Sequence, residues 1–155
     1  MKHKVITTVL IISFLSLVSL TANSLSQQKT SPKKVFFLTK KAANLPFSPA
    51  ILVKDTLFIS GQLASDPVSG KFLGGTMAEQ AERIIKNIEI LLKKAGMDLS
   101  HVVKTTVFIT DFNEFAEFNA VFRKMFPQDP PTRATVQVAK LARGAKIEIS
   151  AVAIR

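Results

Sequence analysis

Two apolar stripes at helical spacing, with a single strand-like run between them, limit this chain more tightly than any other feature. Met77, Ala81, Ile84, Ile85, Ile88, Leu91, Leu92 and Ala95 fall on one side of a helix, the pattern of a buried face. Thr76 opens that stripe with Glu79 three residues on, a capping box, and Gly96 stops it. Asp111 caps a second stripe, again with an acid three residues later at Glu114, and Phe115, Phe118, Phe122 and Phe126 mark its buried side. Pro127, Pro130 and Pro131 end it. The remaining periodic segments read as strands: VFFL at 35–38 as an edge strand, ILVKDTLFISG as two strands across a tight Lys54-Asp55 turn, then HVVKTTVFIT, RATVQVA and KIEISAVAI. Strands without strict βα alternation, plus two helices, predict an α+β fold: a single mixed β-sheet with two helices packed on one face. The other face then has no cover from the chain itself, and such a surface is either wet or an interface.

Period-two alternation divides the last two strands. It predicts Ala134, Val136 and Val138 toward the helices, with Arg133, Thr135 and Gln137 on the uncovered face. In the final strand Ile147, Ile149, Ala151 and Ala153 are expected under the helices, with Glu148, Ser150, Val152 and Ile154 opposite.

The start of the chain reads differently. Residues 1–24 have Lys2 and Lys4, an apolar stretch over residues 5–20, and small residues at Ala22 and Ser24, the layout of a signal peptide. Sixteen residues fall short of the roughly 20 needed to span a bilayer. Export, to the periplasm of a Gram-negative source, is therefore the expected localisation, with no stable membrane span after processing. An uncleaved, membrane-anchoring leader is the alternative. Residues 25–41 read as a basic linker with a possible first strand, and 42–155 as the domain. The chain has no cysteine, which removes disulfides and thiolate chemistry.

A formal charge of +10 suggests nucleic acid, but its distribution argues otherwise. Seven of the 21 basic residues precede Ala42, where no acid lies, and from there on 14 basic residues face 11 acidic ones. The excess belongs to the leader and a solvated arm, and no aromatic-basic interleaving marks a base-stacking surface. No specific nucleic-acid partner is expected.

Arg133 reads either as a solvated strand-start arginine or as a guanidinium fork for a carboxylate. Glu148 reads as a lysine's partner or as a carboxylate that orients a water. Asn119 lies on the apolar stripe of the second helix, where its amide must find partners. Ser60, at a strand end before Gly61, either donates to a ligand oxygen or turns the chain with help from glycine's free dihedrals. His101 alone follows the leader, so a histidine metal cluster lacks its ligand set and a Ser-His-Asp site lacks a nucleophile elbow. LGGT before the first helix lacks the Gly-Lys-Ser/Thr ending of a phosphate loop. No metal site and no cofactor is expected.

In combination, the SGQ strand end, KTTVFITD, the helical Asn119 and the PPTRATVQV…KIEI close resemble the RidA/YjgF family of reactive-intermediate deaminases. The resemblance runs from about Leu45 to the end. It implies the RidA-like, chorismate-mutase-like fold, assembled as a homotrimer with intersubunit sites. It also implies hydrolysis of 2-imino acids, or their enamine tautomers, to 2-oxo acids and ammonia without a cofactor. Carried over by motif, Arg133 binds the substrate carboxylate and Glu148 positions the attacking water, as the catalytic pair. Ser60, Asn119, Phe47 and Thr135 match substrate-binding positions. Phe47 stands where many members have a tyrosine, Thr135 where some have a cysteine, and Ser150 where many have a second acid. A non-catalytic module binding small carboxylates is the alternative. Endoribonuclease activity, known among relatives, sits poorly with the near-balanced domain.

Overall fold

Helix α1 (Met77–Lys94) forms where the apolar stripe runs, and both halves of its capping box are in place. Thr76 Oγ1 accepts from the Glu79 amide at 3.2 Å, and Glu79 Oε2 accepts from the Thr76 amide at 2.9 Å. Such a cap contributes about 1 kcal/mol. At the other end Gly96 takes a φ of 75°, the left-handed turn that closes a helix without a Cβ penalty. The structure, a computed structural model, describes residues 32–39 and 43–155. The expected leader and most of the linker lie outside the described residues. Among those described, no helix is long and apolar enough to cross a membrane.

One six-stranded sheet carries the domain. Its strands are β1 (Lys34–Phe36), β2 (Ala50–Val53), β3 (Thr56–Gln62), β4 (Val102–Ile109), β5 (Thr132–Gln137) and β6 (Ile147–Ile154), in the order β1-β2-β3-β6-β4-β5. Every pairing is antiparallel except β4 with β5. A parallel neighbour needs a crossover, and α2 (Phe115–Met125) lies within it. The last strand, β6, inserts between β3 and β4, so the end of the chain is central to the sheet. Helix α1 packs on β3 and β6 and beside α2. Leu57, Ile84, Leu91, Ile109, Phe118, Ile147 and Ile149 join in one core. The mixed sheet with two helices is as the sequence predicts, and so is the division of β6: Ile147, Ile149, Ala151 and Ala153 are buried.

Two local expectations fail. Asp111 does not cap α2 directly. Its carboxylate accepts from the Asn113 amide at 2.8 Å and caps a single tight turn, Phe112–Glu114, before the helix begins at Phe115. Glu114 completes no capping box because both its oxygens accept from Lys146 Nζ, at 2.6 and 2.7 Å. A charge-assisted bond outcompetes a bond to a terminal amide.

The faces of β5 are also the reverse of the alternation argument. In the parallel register Thr105 pairs with Arg133, Val107 with Thr135 and Ile109 with Gln137. Paired residues share a face, and Thr105, Val107 and Ile109 are buried on the helix side. Arg133, Thr135 and Gln137 therefore face the helices, while Ala134 and Val136 lie on the open face. Polarity misleads here because β5 is an edge strand, and its helix-side arginine lies over the phenylalanine rings of α2 rather than in water. The open face exposes apolar groups: Phe58, Val136 and Ile154 are about half accessible.

Candidate functional site

The first strands of the site come from the aromatic ladder of α2. Phe115, Phe118 and Phe122, at helical spacing, stack edge-on and tilted with centroids 6.1 and 5.6 Å apart. The Arg133 guanidinium carbon lies 5.7, 5.0 and 4.6 Å from those three ring centroids, a cation–π seat. Its Nη2 donates to Asn119 Oδ1 at 2.8 Å, so the amide on the apolar stripe is half of a charge-assisted bond. Partial burial over the rings lowers the arginine's pKa from its ordinary value. No acid pairs with Arg133 among the described residues. The side chain lines a cleft of about 350 Å³ with Asn119, Phe122, Phe126 and Pro131. A guanidinium held this way, with N–H groups left over, is prepared to take a carboxylate.

Glu148 belongs to a second cluster. It is on the open face of β6, beside the irregularity where the β3 register slips between Ile59 and Gln62. Its carboxylate lies over Gly61: a Cβ built there would stand 2.0 Å from Glu148 Oε1 and 2.7 Å from Cδ. Gly61 therefore serves by leaving space rather than by adopting a left-handed φ, which corrects the dihedral reading. No hydrogen-bond donor serves Glu148 among the described residues. Burial alone raises its pKa above the ordinary 4.5, as expected for a carboxylate that has lost water without gaining a partner. Ser60, on the same stretch, spends its hydroxyl proton on Ser48 O at 2.7 Å, while its amide donates to Pro49 O at 3.0 Å. It pins the segment carrying Phe47 and retains only acceptor capacity toward a ligand. Phe47, half exposed, lines a second cleft of about 520 Å³ with Gly61, Gln62, Asp66 and Arg143.

Thr135 shares the Arg133 row, and its Oγ1 is buried without a hydrogen-bond partner among the described residues. His101 takes no part in either cleft. It bonds to Asp98 at 3.0 Å within a tight turn, and bonds from Ser100 and His101 hold that carboxyl at about 2.

The chain thus gathers Arg133, Asn119 and Thr135 on the helix face, and Ser60, Gly61 and Glu148 at β3 and β6. It does not bring Arg133 and Glu148 together, because β4 separates their strands and the side chains leave opposite faces. The sequence reading missed the aromatic seat under Arg133, although Phe spacing flagged its rings. It also missed the spatial role of Gly61.

The family model described as Endoribonuclease L-PSP, that of RidA/YjgF proteins, matches residues 38–155. The chain belongs to the RidA/YjgF family. Among relatives of this family, the human 2-iminobutanoate/2-iminopropanoate deaminase is 46% identical over 110 residues, covering 71% of this chain and 80% of the human protein. The YjgF gene product from E. coli superposes with a TM-score of 0.70 at 32% identity, covering 77% of this chain and 98% of its own. E. coli TdcF, solved with bound serine, gives 0.67 at 30% identity, covering 83% and 96%. These RidA/YjgF structures share the mixed sheet and paired helices of the present fold.

Proposed function

We propose that the protein hydrolyses 2-imino acids, or their enamine tautomers, to 2-oxo acids and ammonia. The observation that carries this reading is Arg133: a guanidinium fixed on three rings and one amide, lining a cleft, with no acid paired to it among the described residues. It takes the substrate carboxylate in two parallel hydrogen bonds. Glu148, from a different protomer, accepts a proton from the water whose oxygen adds to C2. That proton passes to nitrogen to give the carbinolamine; its hydroxyl proton then also goes to nitrogen, the C–N bond breaks, and ammonia leaves as the oxygen becomes the carbonyl. A desolvated carboxylate with a raised pKa suits that duty, since a general base works best when its pKa approaches the working pH. Free imines already react with water, so orientation of the two partners supplies most of what is required. The names of the human relative and the serine bound by TdcF support small amino-acid-derived ligands.

The same reading proposes a homotrimer with its sites between subunits. Exposed Phe58, Val136 and Ile154 on the open sheet face support association, and so does the separation of Arg133 from Glu148, if both serve one site. Export behind a cleaved leader is proposed from residues 1–24 alone. N-terminal sequencing of protein from a periplasmic fraction tests it, and a chain still beginning at Met1 would reject it.

The test of activity is coupled: 2-iminopropanoate is generated by an amino-acid oxidase and its disappearance followed with and without protein. Accelerated decay that vanishes in Arg133→Ala is expected. A folded oligomer that leaves the decay unchanged refutes the proposal.

A further inference from the structure

Arg133 shares its cleft with a second guanidinium. Arg123 lines the same space beside Asn119, Phe122 and Phe126. Helix geometry explains the placement: Asn119 and Arg123 are four residues apart on α2, hence on one face and about 6 Å apart along the axis. Asn119 is the group that holds Arg133 at 2.8 Å. Arg123 has no ion pair or hydrogen bond among the described residues, although its neighbour Lys124 lies 3.8 Å from Glu82. Two cations therefore line a cleft walled by phenylalanine and proline, with no acid among the described residues that line it. Like charges so placed raise each other's energy, and an anion reaching both relieves it. A ligand with a single carboxylate satisfies only Arg133.

We infer that Arg123 is a specificity-determining residue, and that the site prefers 2-imino acids bearing a second, side-chain carboxylate. The inference rests on the deaminase reading for its chemistry and deepens it. Water adds at C2, the C–N bond breaks and ammonia departs as above. The distal carboxylate changes no bonds and only anchors the substrate on Arg123.

Binding and turnover separate the two claims. The stable oxo acids 2-oxobutanoate and 2-oxoglutarate are titrated into the full chain by calorimetry, for wild type, Arg123→Gln and Arg123→Lys. Wild type is expected to bind 2-oxoglutarate about tenfold more tightly, the scale of one accessible charge-assisted contact. Arg123→Gln should erase that ratio and leave 2-oxobutanoate affinity unchanged, while Arg123→Lys restores part of it. An equal ratio in wild type and Arg123→Gln overturns the inference, because Arg123 is then merely solvated. The same proteins are assayed with imines made by oxidation of alanine and of glutamate. Turnover of both at equal kcat/KM overturns the preference and leaves the deaminase reading intact. A binding preference without turnover of either imine overturns the deaminase reading and upholds the role of Arg123 in anion selection.

Discussion

Arg133 is cushioned by three aromatic rings and tied to Asn119, whereas Glu148 stands over a bare glycine with no donor among the described residues. The cation is well supported and lacks an anion; the anion is desolvated and lacks a cation or donor. Arg133 is exposed and Glu148 half-buried, so each stays open to a further partner. The difference teaches that one chain carries the two groups on opposite faces of one sheet, which is what the proposed intersubunit site would join from neighbouring chains.

The strongest way to break this picture is to mix subunits. Arg133→Ala and Glu148→Gln should each lower kcat/KM by about 10²–10⁴. If the halves come from different protomers, unfolding and refolding the two variants together should restore about a quarter of the wild-type sites, as random assembly of a closed symmetric ring predicts. No recovery from a mixture shown to contain hybrid oligomers would place both groups in one chain and contradict the geometry.

Gly61→Ala attacks the weaker half alone. The new Cβ would meet the end of the Glu148 side chain at 2.0 Å, and that flexible end yields more readily than backbone. A loss of about 1 kcal/mol of stability is expected, at the low end for an overpacking defect, together with at least a tenfold fall in kcat. Oxo-acid binding through Arg133 should survive. Equal losses of stability and activity would mean that the glycine matters for packing only.

How these halves read from sequence differs for a physical reason. Helix stripes, capping Thr76 and the alternation of β6 were legible because burial there is one-sided and local. The open face was legible too, from the shortage of helices. The orientation of β5 was not: its row of Arg133, Thr135 and Gln137 looks solvent-facing, yet parallel pairing with Thr105 turns it toward α2. Register with a partner strand is a long-range property, and polarity substitutes for it poorly at an edge. Glu114 misled similarly, because Lys146, 32 residues away, claims its carboxylate. Arg133 and Glu148 could be named from the family resemblance. Their separation within a protomer needed coordinates.

Asn119→Ala sharpens the comparison from the well-supported side. Removing the 2.8 Å bond frees the guanidinium to swing while the rings still hold it. KM should rise about three- to tenfold with kcat nearly unchanged, the effect of a lost positioning contact rather than a lost reactant. Titration with 2-oxobutanoate should show the same weakening. A fall in kcat at constant KM would instead tie Asn119 to the reacting nitrogen.

The smallest effect expected is also the most diagnostic of the unsupported carboxylate. Burial raises the Glu148 pKa above 4.5, so the folded state holds that proton more tightly than the unfolded chain. The group therefore favours folding below its unfolded pKa, and this contribution is lost as pH rises through the raised folded value. At neutral pH the ionised side chain opposes folding, and Glu148→Gln should unfold at a slightly higher temperature than wild type. The gain should shrink as the pH is lowered toward 4 and wild-type Glu148 protonates. Over the same interval the wild-type rate should fall on an acid limb lying above pH 4.5, since a protonated base cannot accept from water. Thermal scans of both proteins across pH, read beside the wild-type rate profile, test both halves of the argument. A variant less stable than wild type at pH 7 would mean that Glu148 has a stabilising partner in the assembled protein, and that the carboxylate is held as firmly as the guanidinium.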